Sequence, residues 1–239
     1  MWLSAQIGAF LRRRLDGTAE EQHDFDTVLA ATLTLLGLII GFSFSMAINR
    51  YDQRKNCEAE EANAIGTEQV RIGLLPEATA KRAGDLLRSY IRERLLYYQT
   101  RDPRQLEQIG ARTADLQTEM WSVVGAAAAA SPTPVSALAV AGMNDVLNSE
   151  GYTQAAWWNR LPDPVWGLMG AIAIFCNLLI GYGARRRGVL LFLILPLALS
   201  ISFFLIADID SPRGGLILVH PRNLERLLQS PPSGAGGNL

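Results

Sequence analysis

The charged residues best placed to act on an ion follow the last long apolar run of the chain. Asp208 and Asp210 end that run, and Arg213 lies shortly after them. Side chains of this kind can form a charged pore mouth, or Arg213 can pair with a carboxylate. Ser211 and Pro212, which lie between them, are equally typical of a turn at a membrane interface. The sequence leaves both interpretations open.

No group of residues indicates catalysis. His23 and His220 are far apart, and neither has a cysteine or a second histidine at the spacing of metal ligands. The sequence contains no HExxH, CxxC or GxSxG motif and no Walker phosphate-binding loop. We therefore predict that the protein is not an enzyme and that it holds no cofactor and no metal.

A second polar pattern lies within the first long apolar run. Small hydroxyl side chains alternate there with phenylalanines, and the pattern includes Phe42, Phe44 and Ser45. On a helix, Phe42, Ser45 and Asn49 are neighbours. Phenylalanines at one level of a symmetric ring can form a hydrophobic constriction that gates a pore by dewetting. In a monomer the same side chains would pack against other helices or face lipid.

Three long apolar runs predict transmembrane helices at 28–48, 165–184 and 188–208. Each run is long enough to cross about 30 Å of hydrocarbon at about 1.5 Å per residue. We therefore predict a multi-pass protein of the cell membrane, in contact with the lipid bilayer. Gly37 and Gly41 in the first run form a GxxxG pattern, which permits two helices to approach closely.

Residues 1–27 allow two interpretations, because their apolar part, 1–11, is too short to span a membrane. They form either an interfacial helix or the truncated end of a further membrane segment. The orientation of the spans is also left open. Cytoplasmic ends of membrane spans usually carry the excess of positive charge. The arginines at 12–14 and 185–187 would lie on one side of the membrane, and the basic residues within 50–55 on the other. The two counts are nearly equal, so they do not decide the orientation.

Residues 49–164 predict a polar helical domain inserted between the first and second spans. Good helix formers fill 51–75, and a second helix is predicted over 77–99. Asp102 followed by Pro103 is typical of the start of a third helix. No alternating strand pattern of useful length is present, so we predict an all-α fold, a multi-span helical membrane protein with an inserted helical bundle.

The remaining features concern the surface of the protein. Neighbouring glutamates at Glu58, Glu60 and Glu61 are typical of a solvated helical face.

Residues 209–239 predict a C-terminal segment with a flexible tail rich in proline, glycine and serine. The chain has 239 residues and a formal net charge of -1, and this near-neutral balance argues against a nucleic-acid partner.

Several motifs of the chain resemble the bacterial bestrophin-like domain family. They are GFSFSMAINRYDQR at 41–54, EEANAIGT at 60–67, PVSAL at 134–138, PVW at 164–166, GYG at 181–183 and DIDSPRGGLI at 208–217. Together they extend over most of residues 28–220.

A more distant similarity, at the end of the first span, connects the chain with the bestrophins, which are pentameric anion channels with a hydrophobic neck. The similarity implies that Phe42 and Phe44 are neck residues. It also implies that Asn49, Arg50 and Asp52 brace the helix where it leaves the membrane. Bestrophins have four spans, whereas this sequence shows three long ones and a short N-terminal piece.

The resemblance and the aromatic-rich span together predict an oligomeric anion channel that conducts chloride. The expected partners are the lipid bilayer, further copies of the same chain in a homo-oligomer of about five subunits, and small anions. The alternative is a membrane-anchored helical sensor or scaffold without transport activity. A helical bundle held between membrane spans is also how many helical receptor domains are organised.

Overall fold

The structure is a computed structural model that describes residues 2–12, 19–183 and 189–229. Within these ranges the chain is helical and contains no strand, as predicted. The helices are α1 Trp2–Arg12, α2 Ala19–Arg71, α3 Glu77–Gln99, α4 Pro103–Ala130, α5 Pro134–Trp158, α6 Asp163–Gly183, α7 Val189–Asp210 and α8 Arg222–Gln229, with a short 3-10 turn at Ile72–Leu74. The arginines at 185–187 and residues 230–239 of the predicted tail lie outside the described residues.

Two helical stretches of the described residues are long and apolar enough to cross a membrane. They are His23–Leu74 and Pro134–Tyr182, with mean hydropathies of 2.1 and 1.8 over their apolar windows. These stretches contain the predicted span 28–48 and most of the predicted span 165–184. Helix α7 has 22 residues, enough for about 33 Å. The side chains of its first five residues lie outside the part of the chain that the structure describes, so the third span stays a prediction.

Helix α2 is a single helix of 53 residues, about 80 Å long. It joins the predicted span 28–48 to most of the predicted polar helix 51–75 without a break, and that prediction ran past the end of α2 into the 3-10 turn. No proline occurs in α2, and the residues after position 49 are mostly good helix formers. The helix therefore supplies residues to both of the compact units into which the chain divides.

One compact unit, which we call the apolar unit, comprises residues 1–49, 160–211 and 215–217. Its buried core is drawn from α2, α6 and α7, with Leu36, Ile172, Ala173, Cys176 and Leu199. Helix α1 packs along α6. At Gly8 a Cβ atom would collide with the backbone carbonyl of Leu178, so the two helices are in close contact there. Small residues permit this kind of approach between membrane helices.

The second unit, the bundle unit, contains residues 50–159, 212–214 and those from 218 onward. Helix α3 packs against α4 and α8, and α4 packs against α5. The core is mainly aliphatic and aromatic, and includes Ile65, Ile72, Leu87, Tyr90, Ile91, Met120, Val124, Met143, Val146, Trp157 and Leu224. A polar helical bundle was predicted for this part of the chain.

The ends of the bundle helices follow from local sequence signals. Helix α3 has the bounds predicted for it. The Asp102 carboxylate accepts a hydrogen bond from the Arg104 backbone N–H at 3.0 Å, and Pro103 occupies the first helical position of α4. Thr133 and Ser136 form a capping box at the start of α5, each side chain accepting from the backbone N–H of the other.

Candidate functional site

The face of α2 opposite the apolar core is the candidate pore lining. It is exposed in the chain, whereas Leu36, Ser43 and Ala47 on the other side of the helix are buried. We call it the α2 outer face, and it consists of Thr34, Leu38, Gly41, Phe42, Ser45, Asn49 and Asp52. Spacings of three and four residues place these side chains on one side of the helix. The face mixes small and polar residues with two large apolar ones.

The two phenylalanines predicted to form a neck do not lie on one face. Phe42 is on the α2 outer face and is 62% exposed. Phe44, two residues later, points about 200° away around the helix axis and is 37% exposed. The structure therefore groups Phe42 with Ser45 and separates both from Phe44.

The GxxxG pattern makes no close helix contact within the described part of the chain. A Cβ atom built on Gly37 or Gly41 would have no neighbouring atom within 4 Å, and both glycines are exposed. The nearby hydroxyl of Thr34 donates to the carbonyl of Ala30 in its own helix at 2.9 Å. The glycine surface is thus left uncovered by the residues that the structure describes.

The three residues predicted to brace the end of the span take different positions. Asn49 and Asp52 lie exposed on the α2 outer face. Arg50 turns inward, and its Nε donates to the Oδ1 of Asn159 at 3.2 Å. Asn159 is the residue that ends α5. Arg50 therefore ties α2 to the end of another helix of the bundle unit.

Asp208 and Asp210 accept hydrogen bonds from backbone N–H groups within the apolar unit. The two Asp208 oxygens accept from the N–H groups of Leu216 and Ile217 at 2.7 and 2.9 Å. Asp210 accepts from the N–H of Leu161, with both oxygens within 3.1 Å. The two aspartates are only 8% and 6% exposed. These bonds give both carboxylates a structural role in turns.

Arg213 anchors the end of α3 in the bundle unit. Its Nη1 donates to the backbone carbonyls of Tyr97 and Thr100 at 2.6 and 2.8 Å. Its guanidinium lies 4.4 Å from the ring centre of Tyr97 and 4.2 Å from that of Trp157. A cation at the carbonyl end of a helix and against aromatic faces is stabilised by both contacts.

The interpretation of the glutamates as a solvated face was wrong for two of the three. Glu60 is exposed, but Glu58 and Glu61 are buried. Both oxygens of Glu58 receive hydrogen bonds from Asn223, and one also accepts from the N–H of Leu224 at 3.1 Å. This carboxylate caps the start of α8, where the helix dipole favours negative charge.

Glu61 is the centre of a buried polar network that joins α2, α3 and α5. Its carboxylate accepts two hydrogen bonds from the Arg94 guanidinium. The hydroxyls of Tyr98 and Thr153 donate to the same carboxylate at 3.2 and 3.0 Å. Burial alone would lower the pKa of Arg94, but the adjacent Glu61 charge raises it. Burial, followed by the Glu61 charge, raises the pKa of Tyr98.

A signal for these buried charges is present in the sequence. The residues on the buried face of α2 within the bundle unit follow alternating spacings of four and three, as in Arg54, Glu58, Glu61, Ile65 and Glu68. On α3, Arg94 shares a face with apolar and aromatic residues. Arg94 in the buried stripe of α3 and Glu61 in the buried stripe of α2 are the two partners of a buried ion pair.

The comparisons with known proteins agree with this fold. The sequence matches the Bestrophin-like domain over residues 2–224. No curated protein matches it in sequence. Two variants of a bacterial Bestrophin homolog from Klebsiella pneumoniae share the fold with a TM-score of 0.68 each. One is 13% identical, with 95% of this chain and 97% of that chain covered. The other is 11% identical, with 96% of each chain covered.

A further solved structure, described as a membrane protein, is 13% identical with a TM-score of 0.66 and 96% of each chain covered. At such identities these structures support the fold. The domain match extends over nearly the whole chain and agrees with the motifs between residues 41 and 217. The chain therefore belongs to the bestrophin-like domain family.

Proposed function

We propose that the chain is one subunit of an oligomeric ion channel in the cell membrane, with the α2 outer face lining a central pore. The observation that carries this proposal is the exposure of Ser45 and Asn49 beside Phe42 at the end of the apolar part of α2. Polar side chains in membrane helices generally face a bundle interior or a water-filled cavity. Further copies of the chain around an axis would supply that cavity.

Lipid contact is supported by the exposed apolar side chains of α6 and α7. Seven of them are each 50–61% exposed, namely Leu168, Ile174, Phe175, Ile194, Leu197, Ile201 and Phe204. An apolar surface of this extent on a protein marks a site of contact with lipid or with another protein. We propose that these two helices face the bilayer, as the multi-span arrangement requires.

Phe42 is the neck residue in this proposal. Its ring is largely exposed in the chain, so a ring of copies would bring several phenylalanines to one level. A hydrophobic constriction of this kind resists the passage of hydrated ions by dewetting. Phe44 points elsewhere around the helix and would contact other helices or lipid.

The resemblance to bestrophins implies small anions such as chloride as the permeant species. The charges on the helix favour a second candidate, a cation-permeable pore. Asp24 and Glu60 lie 18 residues before and after Phe42, about five helical turns each way, and all three are exposed. Asp52 on the α2 outer face adds another exposed carboxylate. Rings of carboxylates favour cations.

The first test is the particle mass of the purified protein in detergent, corrected for bound detergent. We expect a ring of about five subunits. A monomer or dimer that persists across detergents would leave Phe42 without a ring to close and would move the sensor or scaffold alternative ahead.

The second test is ion flux in proteoliposomes made with the wild-type chain, Phe42→Ala and Phe44→Ala. We expect Phe42→Ala to raise the flux, whereas Phe44→Ala serves as the matched control from the same helix turn and leaves it near the wild-type level. The reversal potential in a potassium chloride gradient then separates anion from cation permeation. Equal effects of the two substitutions in a conducting protein would remove Phe42 from the neck.

A further inference from the structure

Glu68 is a buried carboxylic acid to which no described residue donates a hydrogen bond. Its side chain is 0% exposed, and neither oxygen has a hydrogen-bond partner among the described residues. It lies in the last turn of α2, just before the 3-10 turn Ile72–Leu74. Glu58 and Glu61 on the same helix face are both satisfied by donors. Glu68 is therefore a different kind of buried carboxylate from its neighbours.

The surroundings of Glu68 are shaped to admit its side chain. The carboxylate lies directly over the Cα of Gly142 in α5, where a Cβ atom would collide with it. The Arg71 guanidinium passes over the same glycine, with Nη1 2.6 Å from that Cβ position. Arg71 Nη1 is 3.7 Å from an oxygen of Asp145, so the cation next to Glu68 is directed toward another carboxylate.

We propose that Glu68 is a proton-binding latch between the end of α2 and α5. As the neutral acid it occupies the space over Gly142. When its proton passes to water, the carboxylate leaves this space and pairs with Arg71 in place of Asp145. The last turn of α2 then loses its contact with α5.

The charges around Glu68 support this assignment. The charged groups that act on it are Arg71 of its own helix and Asp145 of α5, and the turn at Ile72–Leu74 has no titratable residue. An ionised carboxylate without donors is strongly disfavoured in a protein interior. Burial is the largest cause that raises the pKa of Glu68 to about 8, Arg71 opposes the shift, and Asp145 adds to it. The neutral acid is thus the stable form near neutral pH.

The first experiment is an infrared titration of the full chain in detergent. Above about pH 6 ordinary carboxyl groups are already ionised, so a protonated carboxyl band reports only groups with a raised pKa. We expect a band that disappears with a midpoint near pH 8 in the wild-type protein and is missing in Glu68→Gln. Glu107→Gln, at an exposed position of α4, should leave the band unchanged.

Two further measurements separate a latch from a group that titrates in place. Hydrogen exchange of the backbone at residues 66–72, corrected for its intrinsic pH dependence, should rise above the midpoint in the wild type and stay flat in Glu68→Gln. Asp145→Asn should shift the midpoint of the infrared titration to lower pH, because the Asp145 charge raises the pKa of Glu68. This variant also tests the proposal if Glu68→Gln does not fold. Lack of a Glu68-dependent band, an unmoved midpoint in Asp145→Asn, or a titration without a change in exchange would each overturn the latch.

Discussion

The Arg94 guanidinium lies against the Glu61 carboxylate inside the bundle unit, and neither side chain is more than 1% exposed. Two hydroxyls complete the hydrogen bonding of the carboxylate, and Glu150 accepts from Arg94 Nη1 at 3.4 Å. The donors come from helices separated by up to 92 residues in sequence. The pair therefore fixes how α2, α3 and α5 pack together.

Removal of one partner from this pair should be costly. Arg94→Leu would leave Glu61 buried without a counter-ion, and we expect it to lower the free energy of unfolding by about 3–5 kcal/mol. The control is Arg82→Leu, because Arg82 pairs with Glu119 at a surface where the side chains are 65% and 48% exposed. Its expected cost is below about 1 kcal/mol. Denaturant unfolding of the full chain in detergent measures both, and similar losses would contradict a stabilising role for the buried pair.

A side chain at position 142 should lower the stability of the protein. In Gly142→Ala the new methyl group collides with Glu68 and Arg71, and we expect a loss of about 1–3 kcal/mol from overpacking. Gly125 in α4 has no atom within 4 Å of its Cβ position, so Gly125→Ala is the matched control. It should be neutral or stabilising by up to about 1 kcal/mol. Thermal unfolding of both variants checks the difference, and a stable Gly142→Ala protein would contradict the close packing of Glu68.

Asp208 should affect stability more than ion selectivity. Asp208→Ala removes the acceptor for the N–H groups of Leu216 and Ile217, and each unsatisfied group costs about 1–3 kcal/mol if it stays buried. We expect a lower unfolding temperature and an unchanged reversal potential in the protein that still folds. A shifted reversal potential with full stability would instead support the pore-mouth interpretation.

The stability of the fold should depend on the ionisation of Glu68. The pKa of this group is about 8 in the folded protein, against an ordinary 4.5. Between these values the unfolded chain has released a proton that the folded chain keeps, so the folded state loses stability as the pH rises through this window. We expect the unfolding temperature of the wild type to fall relative to Glu68→Gln from about pH 5 to pH 8. Parallel curves for the two proteins would contradict the raised pKa.

Much of the bundle could be predicted because its signals are local. The bounds of α3 and the start of α4 at Asp102 follow from helix formers, proline and a capping side chain within a few residues. The buried glutamates could not be placed with the same rules. Glutamate on a helix is usually solvated, and the donors for Glu61 lie 33 to 92 residues away in sequence.

The residues of the candidate pore site stay a prediction, and only their placement on the helix can be compared with the structure. The grouping of Phe42 with Ser45 and Asn49 follows from the period of a helix and agrees with their common exposure. The assignment of Phe44 to the same neck came from the alternation of the sequence and from the resemblance. Residues two apart lie on different sides of a helix, so this alternation separates Phe44 from Phe42. The bonds of Asp208 to Leu216 and Ile217 depend on a loop conformation for which the sequence has only general turn signals.

The central claim is that the α2 outer face lines an aqueous pore, and thiol modification of Ser45→Cys tests it most directly. The measurement uses a chain in which Cys57 and Cys176 are first replaced by serine, with ion flux recorded before and after a charged methanethiosulfonate reagent. Phe44→Cys, which lies about 200° around the helix from Phe42 and about 100° from Ser45, is the matched control. The proposal predicts that the reagent blocks flux through Ser45→Cys and leaves Phe44→Cys conducting. Unchanged flux in a Ser45→Cys protein shown to conduct, or equal block of both variants, would contradict it.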